Sequence, residues 1–178
     1  MVQAVELTLD RTSDDRVRAE WAALRDAGLP SLADHTGETN APHVTLHVRD
    51  AMEAAAEERL LPLPDRLPLE LWVGSVVLFH SRRRWVVARQ VVVDRTLLEF
   101  HEAVGAAVGG GGSPLTVPGR WVPHLSIARG VRDDQLPQVL ALLATTPPYA
   151  ATALRLRRWD QDRRQAWVVD QASTGRSL

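Results

Sequence analysis

Two short segments, each opening with a histidine and alternating apolar with polar residues, constrain this chain more than any other feature: His43–Arg49 (HVTLHVR) and His124–Ala128 (HLSIA). They begin 81 residues apart, and the same pattern follows each. After the first come an Ala/Glu-rich helical stretch, Ala51–Leu60, and two long β-type runs, Leu69–Phe79 and Trp85–Val93, joined by the polar His80–Arg84. After the second come an acidic helix start at Asp133–Asp134 with apolar positions through Leu143, then Tyr149–Trp159 and Ala166–Asp170 flanking the charged turn Asp160–Gln165. A lone strand, a helix and a hairpin, repeated once, predict a single domain over residues 1–178 made of two pseudo-symmetric lobes. The expected fold class is α+β: two antiparallel-rich sheets facing a central groove, with helices on their outer faces.

The intervening segments fit that plan. Val2–Leu9 (VQAVELTL) alternates as a strand, and Val17, Trp21, Leu24 and Ala27 mark one face of a helix over Asp14–Leu29. Pro30–Pro42 reads as a polar loop, and Thr96–Val108 as a helix stopped by Gly109–Gly112. That glycine run lacks the Gly-Lys-Ser/Thr ending of a phosphate cradle, so a flexible loop bordering the groove is expected there.

On a strand, side chains i and i+2 share a face. His43 and Thr45 therefore point one way while Val44, Leu46 and Val48 point the other, and His124 and Ser126 repeat the arrangement. Each copy presents an imidazole and a hydroxyl about 6–7 Å apart along the strand. That pairing suits phosphodiester chemistry, in which an attacking hydroxyl or water loses a proton while the leaving oxygen gains one. An imidazole with an ordinary pKa of ~6.5 serves either task near neutrality. Two serve both, if they reach opposite sides of one phosphorus. The hydroxyls would then stabilise charge on the non-bridging oxygens.

Absences narrow the chemistry further. There is no Cys, and all 21 basic residues are Arg. A thiolate nucleophile, a disulfide, a zinc ribbon and an iron–sulfur site are excluded. So are a side-chain Schiff base, a Walker phosphate loop and a lysine that carries a nucleotidyl group. A formal charge of −1 argues against bulk nucleic-acid binding. Arg82–Arg84, Arg155, Arg157, Arg158, Arg163 and Arg164 either form a local basic cluster or decorate hairpin tips.

The motifs resemble those of the two-histidine (2H) phosphoesterase superfamily, of the 2′–5′ RNA ligase and cyclic phosphodiesterase type. Pro42-His43-Val44-Thr45-Leu46 resembles its first motif. Trp121-Val122-Pro123-His124-Leu125-Ser126-Ile127-Ala128-Arg129 resembles the aromatic-x-Pro-His-x-Thr/Ser-x-Ala-Arg form of its second. The lobe order matches over nearly the whole chain. The resemblance implies a bilobal fold with a central groove, His43 and His124 as the acid–base pair, Thr45 and Ser126 on the phosphate, Arg129 assisting there, and no metal or other cofactor. Arg129 lies on the opposite parity from His124 and Ser126, so it needs a bulge or twist to reach the groove.

Other candidates carry less. His43 and His47, spaced i,i+4, lie about 13 Å apart on a strand, too far to share one metal ion. Trp121, Phe79 and Trp85 are candidate base-stacking residues but read as core filling. His35, His80 and His101 carry no pattern beyond surface or capping roles.

The leading expectation is opening of a nucleoside 2′,3′-cyclic phosphate, or of RNA ending in one. ATP-independent 2′–5′ joining of RNA ends is the same chemistry reversed, and a non-catalytic nucleotide or RNA-end binder is the alternative from another class. The expected partner is a nucleotide or RNA end rather than DNA or a membrane, with oligomeric state open. No apolar run approaches the roughly 20 residues that cross a bilayer, and the first ten residues lack a basic leader, so a cytoplasmic protein is expected.

Overall fold

The structure, a computed structural model, describes residues 2–37, 39–109 and 112–170. In chain order the elements are β1 (Gln3–Leu9), α1 (Arg11–Asp26), β2 (His43–Arg49), α2 (Ala54–Leu60), β3 (Leu69–Ser81), β4 (Arg84–Val92), α3 (Arg95–Val108), β5 (His124–Val131), α4 (Leu136–Leu143), β6 (Tyr149–Asp160) and β7 (Gln165–Val168). The fold is α+β and antiparallel, as the alternation predicts. Helix starts follow their caps. The Asp10 carboxylate accepts the Ser13 N–H at 2.9 Å, which opens α1 three residues earlier than the apolar periodicity alone. Asp94 accepts the Leu97 N–H at 2.7 Å and does the same for α3. Helix α1 stops before Gly28, whose φ of +70° is the left-handed conformation that glycine adopts without strain.

The strands form one sheet, where the sequence predicts two. Their order is β1-β2-β5-β4-β3-β6-β7, and β1 also pairs with β6, so the first six close into a ring with β7 on its margin. The reason is an exchange of hairpins. The β3–β4 hairpin from the first half pairs with β5 of the second, while β6 from the second half pairs with β1 of the first. Strand β6 is long enough, at 12 residues, to serve both sides: Tyr149–Ala153 pair with β3, and Ala153–Asp160 with β1. On the opposite seam β2 meets β5 at one residue pair, Val44 with Leu125.

Helix α1 packs on β5, β1 and β6, α3 packs on β2 and β3, and α2 and α4 pack on α3 and α1. Their apolar faces and the helix-facing side of the sheet form a continuous core in which Val5, Leu7, Val44, Leu46, Leu125 and Ile127 meet Trp21, Leu24, Phe100 and Val104. Each fully buried Leu or Ile there contributes about 1.5–3 kcal/mol relative to exposure. Arg89 of β4 is carried into this layer and is satisfied by Glu20 of α1 at 2.9 Å and by the Leu143 carbonyl at 2.6 Å. The opposite face of the sheet carries the polar residues. Of the glycine run, Gly110 and Gly111 lie outside the described residues. Gly112, at φ +99°, leaves no room for a side chain, since a Cβ would sit 2.5 Å from the Val48 carbonyl. No helix among the described residues is long and apolar enough to cross a membrane.

Candidate active site

Both histidine strands are bulged at the same place. In β2, Thr45 and His47 stand opposite Glu6 and Val5, which are consecutive on β1, so Leu46 is the extra residue. In β5, Ser126 and Ala128 stand opposite Ala88 and Val87, consecutive on β4, so Ile127 is the extra residue. The strict alternation predicted for β2 therefore holds only as far as Leu46. Past a bulge the parity of a strand inverts. His47 turns to the helix side and is buried, while Arg129 joins the face that carries His124 and Ser126, by way of a bulge such as its parity in the sequence calls for.

The Val44–Leu125 pair brings the two motifs together. Extending that register by one residue sets His43 opposite Ser126 and Thr45 opposite His124, all on the polar face. The two histidines are then diagonal neighbours across this seam. They adjoin at one seam of the sheet rather than facing one another from separate sheets. Their rings are held identically. His43 Nδ1 bonds the Ala41 carbonyl at 2.8 Å, and His124 Nδ1 bonds the Val122 carbonyl at 2.8 Å. A carbonyl only accepts, so Nδ1 carries the proton in each case, and Nε2 is left for chemistry.

Side-chain surroundings differ between the two. Glu6, in register with Thr45, is buried and places Oε1 3.4 Å from His43 Nε2. Its Oε2 takes two N–H bonds from Arg157, at 3.0 and 2.7 Å. His124 has the Phe79 ring against it, centroids 4.6 Å apart and tilted by 46°. Burial holds His124 below the ordinary imidazole value, and the positive fields of His43 and Arg129 push the same way.

The main chain beside each hydroxyl is also held alike. Trp121 donates its indole N–H to the Thr45 carbonyl at 2.9 Å, and Trp21 of α1 donates to the Ser126 carbonyl at 3.0 Å. Trp121 also ends a stack of three rings. Its indole lies 4.0 Å from His101, which lies 4.3 Å from His47. His47 donates from Nε2 to the His101 carbonyl at 3.0 Å, and His101 from Nε2 to the Thr116 carbonyl at 2.9 Å. Burial pushes the His47 imidazole down to about 4 and lowers His101 as well. Gly105 makes room for this stack, because a Cβ there would lie 2.9 Å from the His47 ring.

His43, Thr45, His124, Ser126 and Arg129 thus share one face. Sequence reasoning missed Glu6, placed Arg157 only in a candidate basic cluster and Trp21 only on a helix face, and set Phe79 aside as core filling. One signal was available: Glu6 is the only charged residue inside VQAVELTL, and it falls on the polar parity of that strand. The arginines do not form one cluster. Arg82–Arg84 sit at the β3–β4 turn, Arg157 pairs with Glu6, Arg158 pairs with Glu57 at 2.7 Å, and exposed Arg155 stands in a row with Thr8 and His43. No group of three His, Cys, Asp or Glu side chains among the described residues is arranged to hold a metal ion. Two surface hollows, one between α1 and the end of α4 and one beside Trp21 and His35, are lined by none of the motif residues. The paired imidazoles, each with Nδ1 committed to a carbonyl, mark the candidate site more specifically than hollow shape does.

Residues 13–165 match the family described as the 2'-5' RNA ligase superfamily. No curated protein matches the chain in sequence. Among solved structures, apo E. coli LigT superposes with a TM-score of 0.52 at 14% identity, covering 94% of this chain and 93% of that one. E. coli LigT complexed with 3'-AMP gives 0.55 at 16% identity, covering 93% and 92%. Kluyveromyces marxianus Usb1 gives 0.51 at 11% identity, covering 94% and 97%. These likenesses show a common fold. With a family match over most of its length and both histidine motifs on one face of that fold, the chain belongs to the 2'-5' RNA ligase superfamily of two-histidine phosphoesterases.

Proposed function

We propose that the protein opens 2′,3′-cyclic phosphodiesters of nucleotides or RNA ends to phosphomonoesters, using His43 and His124 as an acid–base pair without a metal ion. One observation carries the reading: two imidazoles on one sheet face, each with Nδ1 spent on the carbonyl two residues back, which leaves Nε2 as the nitrogen for proton transfer. One nitrogen takes the proton of the attacking water and the other protonates the leaving ribose oxygen. Each transfer accounts for roughly 10²–10⁴-fold in rate. Thr45 and Ser126 donate hydroxyl protons to the non-bridging oxygens, and Arg129 adds positive charge beside them. The 3'-AMP complex of LigT supports a nucleotide ligand for this fold. The reading also takes the two wings of the sheet, which share bulge, ring bond and indole contact at an offset of 81 residues, as products of an internal duplication.

The test is turnover of nucleoside 2′,3′-cyclic phosphates, cyclic-phosphate-ended RNA and 2′–5′ oligonucleotides in the presence of chelator. Hydrolysis persists with chelator, and His43→Ala and His124→Ala each reduce kcat at least 100-fold with little change in binding. Activity lost to chelator and restored by a divalent cation, or variants that work as well as the parent, would overturn the proposal.

A further inference from the structure

The neighbours of the two histidines differ at one register position. Thr45 stands opposite Glu6, whereas Ser126, its counterpart 81 residues on, stands opposite Ala88. A buried carboxylate therefore lies on the His43 side, and Ala88 holds the equivalent position beside His124. We infer that Glu6, fixed by Arg157, is a positioning residue that commits His43 to the general-acid role and leaves His124 as the general base. The inference rests on the phosphodiesterase reading above and deepens it.

Donor and acceptor accounting supports this assignment. His43 spends its Nδ1–H on the Ala41 carbonyl, so the nitrogen that faces Glu6 Oε1 at 3.4 Å is Nε2. A nitrogen bearing only a lone pair is repelled by a carboxylate, and one bearing a proton is attracted. The contact is favourable only when both ring nitrogens carry protons, the state an acid needs before it acts. Arg157 binds Oε2 through two N–H groups and so aims Oε1 at the ring. Among the described residues, the charged groups that share this face are Arg157, Arg155 of β6, in the row of Thr8 and His43, and His124 and Arg129 of β5. All of these are basic, and Glu6 is the carboxylate in contact with the His43 ring.

Around His124 the conditions are reversed. Its Nδ1–H is spent on the Val122 carbonyl, and the Phe79 ring covers one side. Burial disfavours its cation most, the bond to Val122 partly offsets this, and His43 and Arg129 disfavour the cation further. A neutral imidazole with Nδ1 protonated presents a lone pair at Nε2, which is what a base needs. In the forward step a water oxygen bonds to phosphorus and its proton passes to His124 Nε2. The phosphorus bond to one ribose oxygen breaks, and that oxygen takes the proton from His43 Nε2. Exchange with solvent then returns a proton to His43 and removes one from His124, so no further reactant is required.

The deciding experiment replaces the leaving ribose oxygen of a cyclic substrate with sulfur, whose thiolate departs without an acid. On the thio substrate His43→Ala should recover to within about 10-fold of the parent and Glu6→Gln to within about 2-fold, while His124→Ala should stay at least 100-fold down. Rescue of His124→Ala in place of His43→Ala would overturn the assignment. On the oxygen substrate, Glu6→Gln should lower kcat about 10-fold at pH 7.5 with KM within 2-fold. A kcat within 2-fold of the parent's would remove Glu6 from the account. A parent inactive on every cyclic phosphate, oxygen or thio, overturns the phosphodiesterase reading and this inference with it, whereas an active parent with the rescue pattern reversed overturns the inference alone.

Discussion

Strands β2 and β5 match in backbone and part company in side chains. Both carry a bulge after the hydroxyl residue, a ring bond to the carbonyl two residues before the histidine, and an indole N–H on the hydroxyl residue's carbonyl. Against that common frame, Glu6 answers Thr45 where Ala88 answers Ser126, and His47 follows one bulge where Ala128 follows the other. The lesson is that main-chain geometry delivers two equivalent nitrogens to one space, and a single residue on each adjoining strand makes them chemically unlike. Two identical imidazoles would compete for the same proton task; in the proposed mechanism, the carboxylate on one side is what separates an acid from a base without altering the scaffold.

The hydroxyls sharpen the comparison most, because they belong to its shared part. Thr45→Ala and Ser126→Ala should each lower kcat by about 10²-fold, the loss seen when one donor to a developing oxyanion is removed. KM should move less than kcat, measured on a cyclic nucleotide at saturation. Losses that differ by more than about tenfold between the two would mean that the wings do not contribute equally to phosphate charge.

A second contrast lies behind the bulges. The β2 side buries an imidazole at position 47 with a pKa near 4, and the β5 side places a methyl group there. In the unfolded chain His47 takes up a proton near pH 6.5, which the folded protein refuses until about pH 4. Stability from this group is therefore complete above about pH 6.5 and is lost as pH falls toward 4, by roughly 3 kcal/mol. His101, lowered by the same burial, adds to the loss in the same direction. Denaturant midpoints at pH 7 and pH 4.5 should differ markedly for the parent and less for His47→Gln, which keeps a donor for the His101 carbonyl. An unchanged pH dependence in that variant would remove the β2 core from the acid response.

Much of this was legible in the sequence because periodicity reports which face a residue occupies. The elements follow from alternation and capping residues, and the four motif side chains share a face because i and i+2 do. What alternation cannot report is partner choice. VQAVELTL reads as a strand whichever strand it joins, so neither the hairpin exchange that merges two expected sheets into one nor the meeting of Glu6 with Thr45 was visible. Bulges are equally silent in a single sequence. Leu46 and Ile127 look like ordinary apolar positions, yet they send His47 inward and Arg129 outward. Trp21 was read as one residue of an apolar helix face, which it is; its polar end meets Ser126 only because α1 packs on β5.

The two indoles offer the finest test of the shared frame. Past the Val44–Leu125 pair β2 and β5 part, so a carbonyl turned toward that gap requires a donor other than a strand. Trp21 and Trp121 come from unrelated parts of the chain, a helix and the approach to β5, and meet the same need on each side. Phe in place of Trp keeps the ring and deletes the N–H. Trp21→Phe, fully buried, should cost about 1–3 kcal/mol of stability for the carbonyl left without its donor, and Trp121→Phe, half-buried, somewhat less. Each should also couple to its own hydroxyl. Trp121→Phe should lower kcat in the parent but much less when Thr45 is already Ala, and it should act independently of Ser126→Ala, with Trp21 showing the converse. Additivity in all four combinations would mean that the indoles support the fold without holding the hydroxyl residues in place, and the resemblance between the wings would then end at the bulges and the ring bonds.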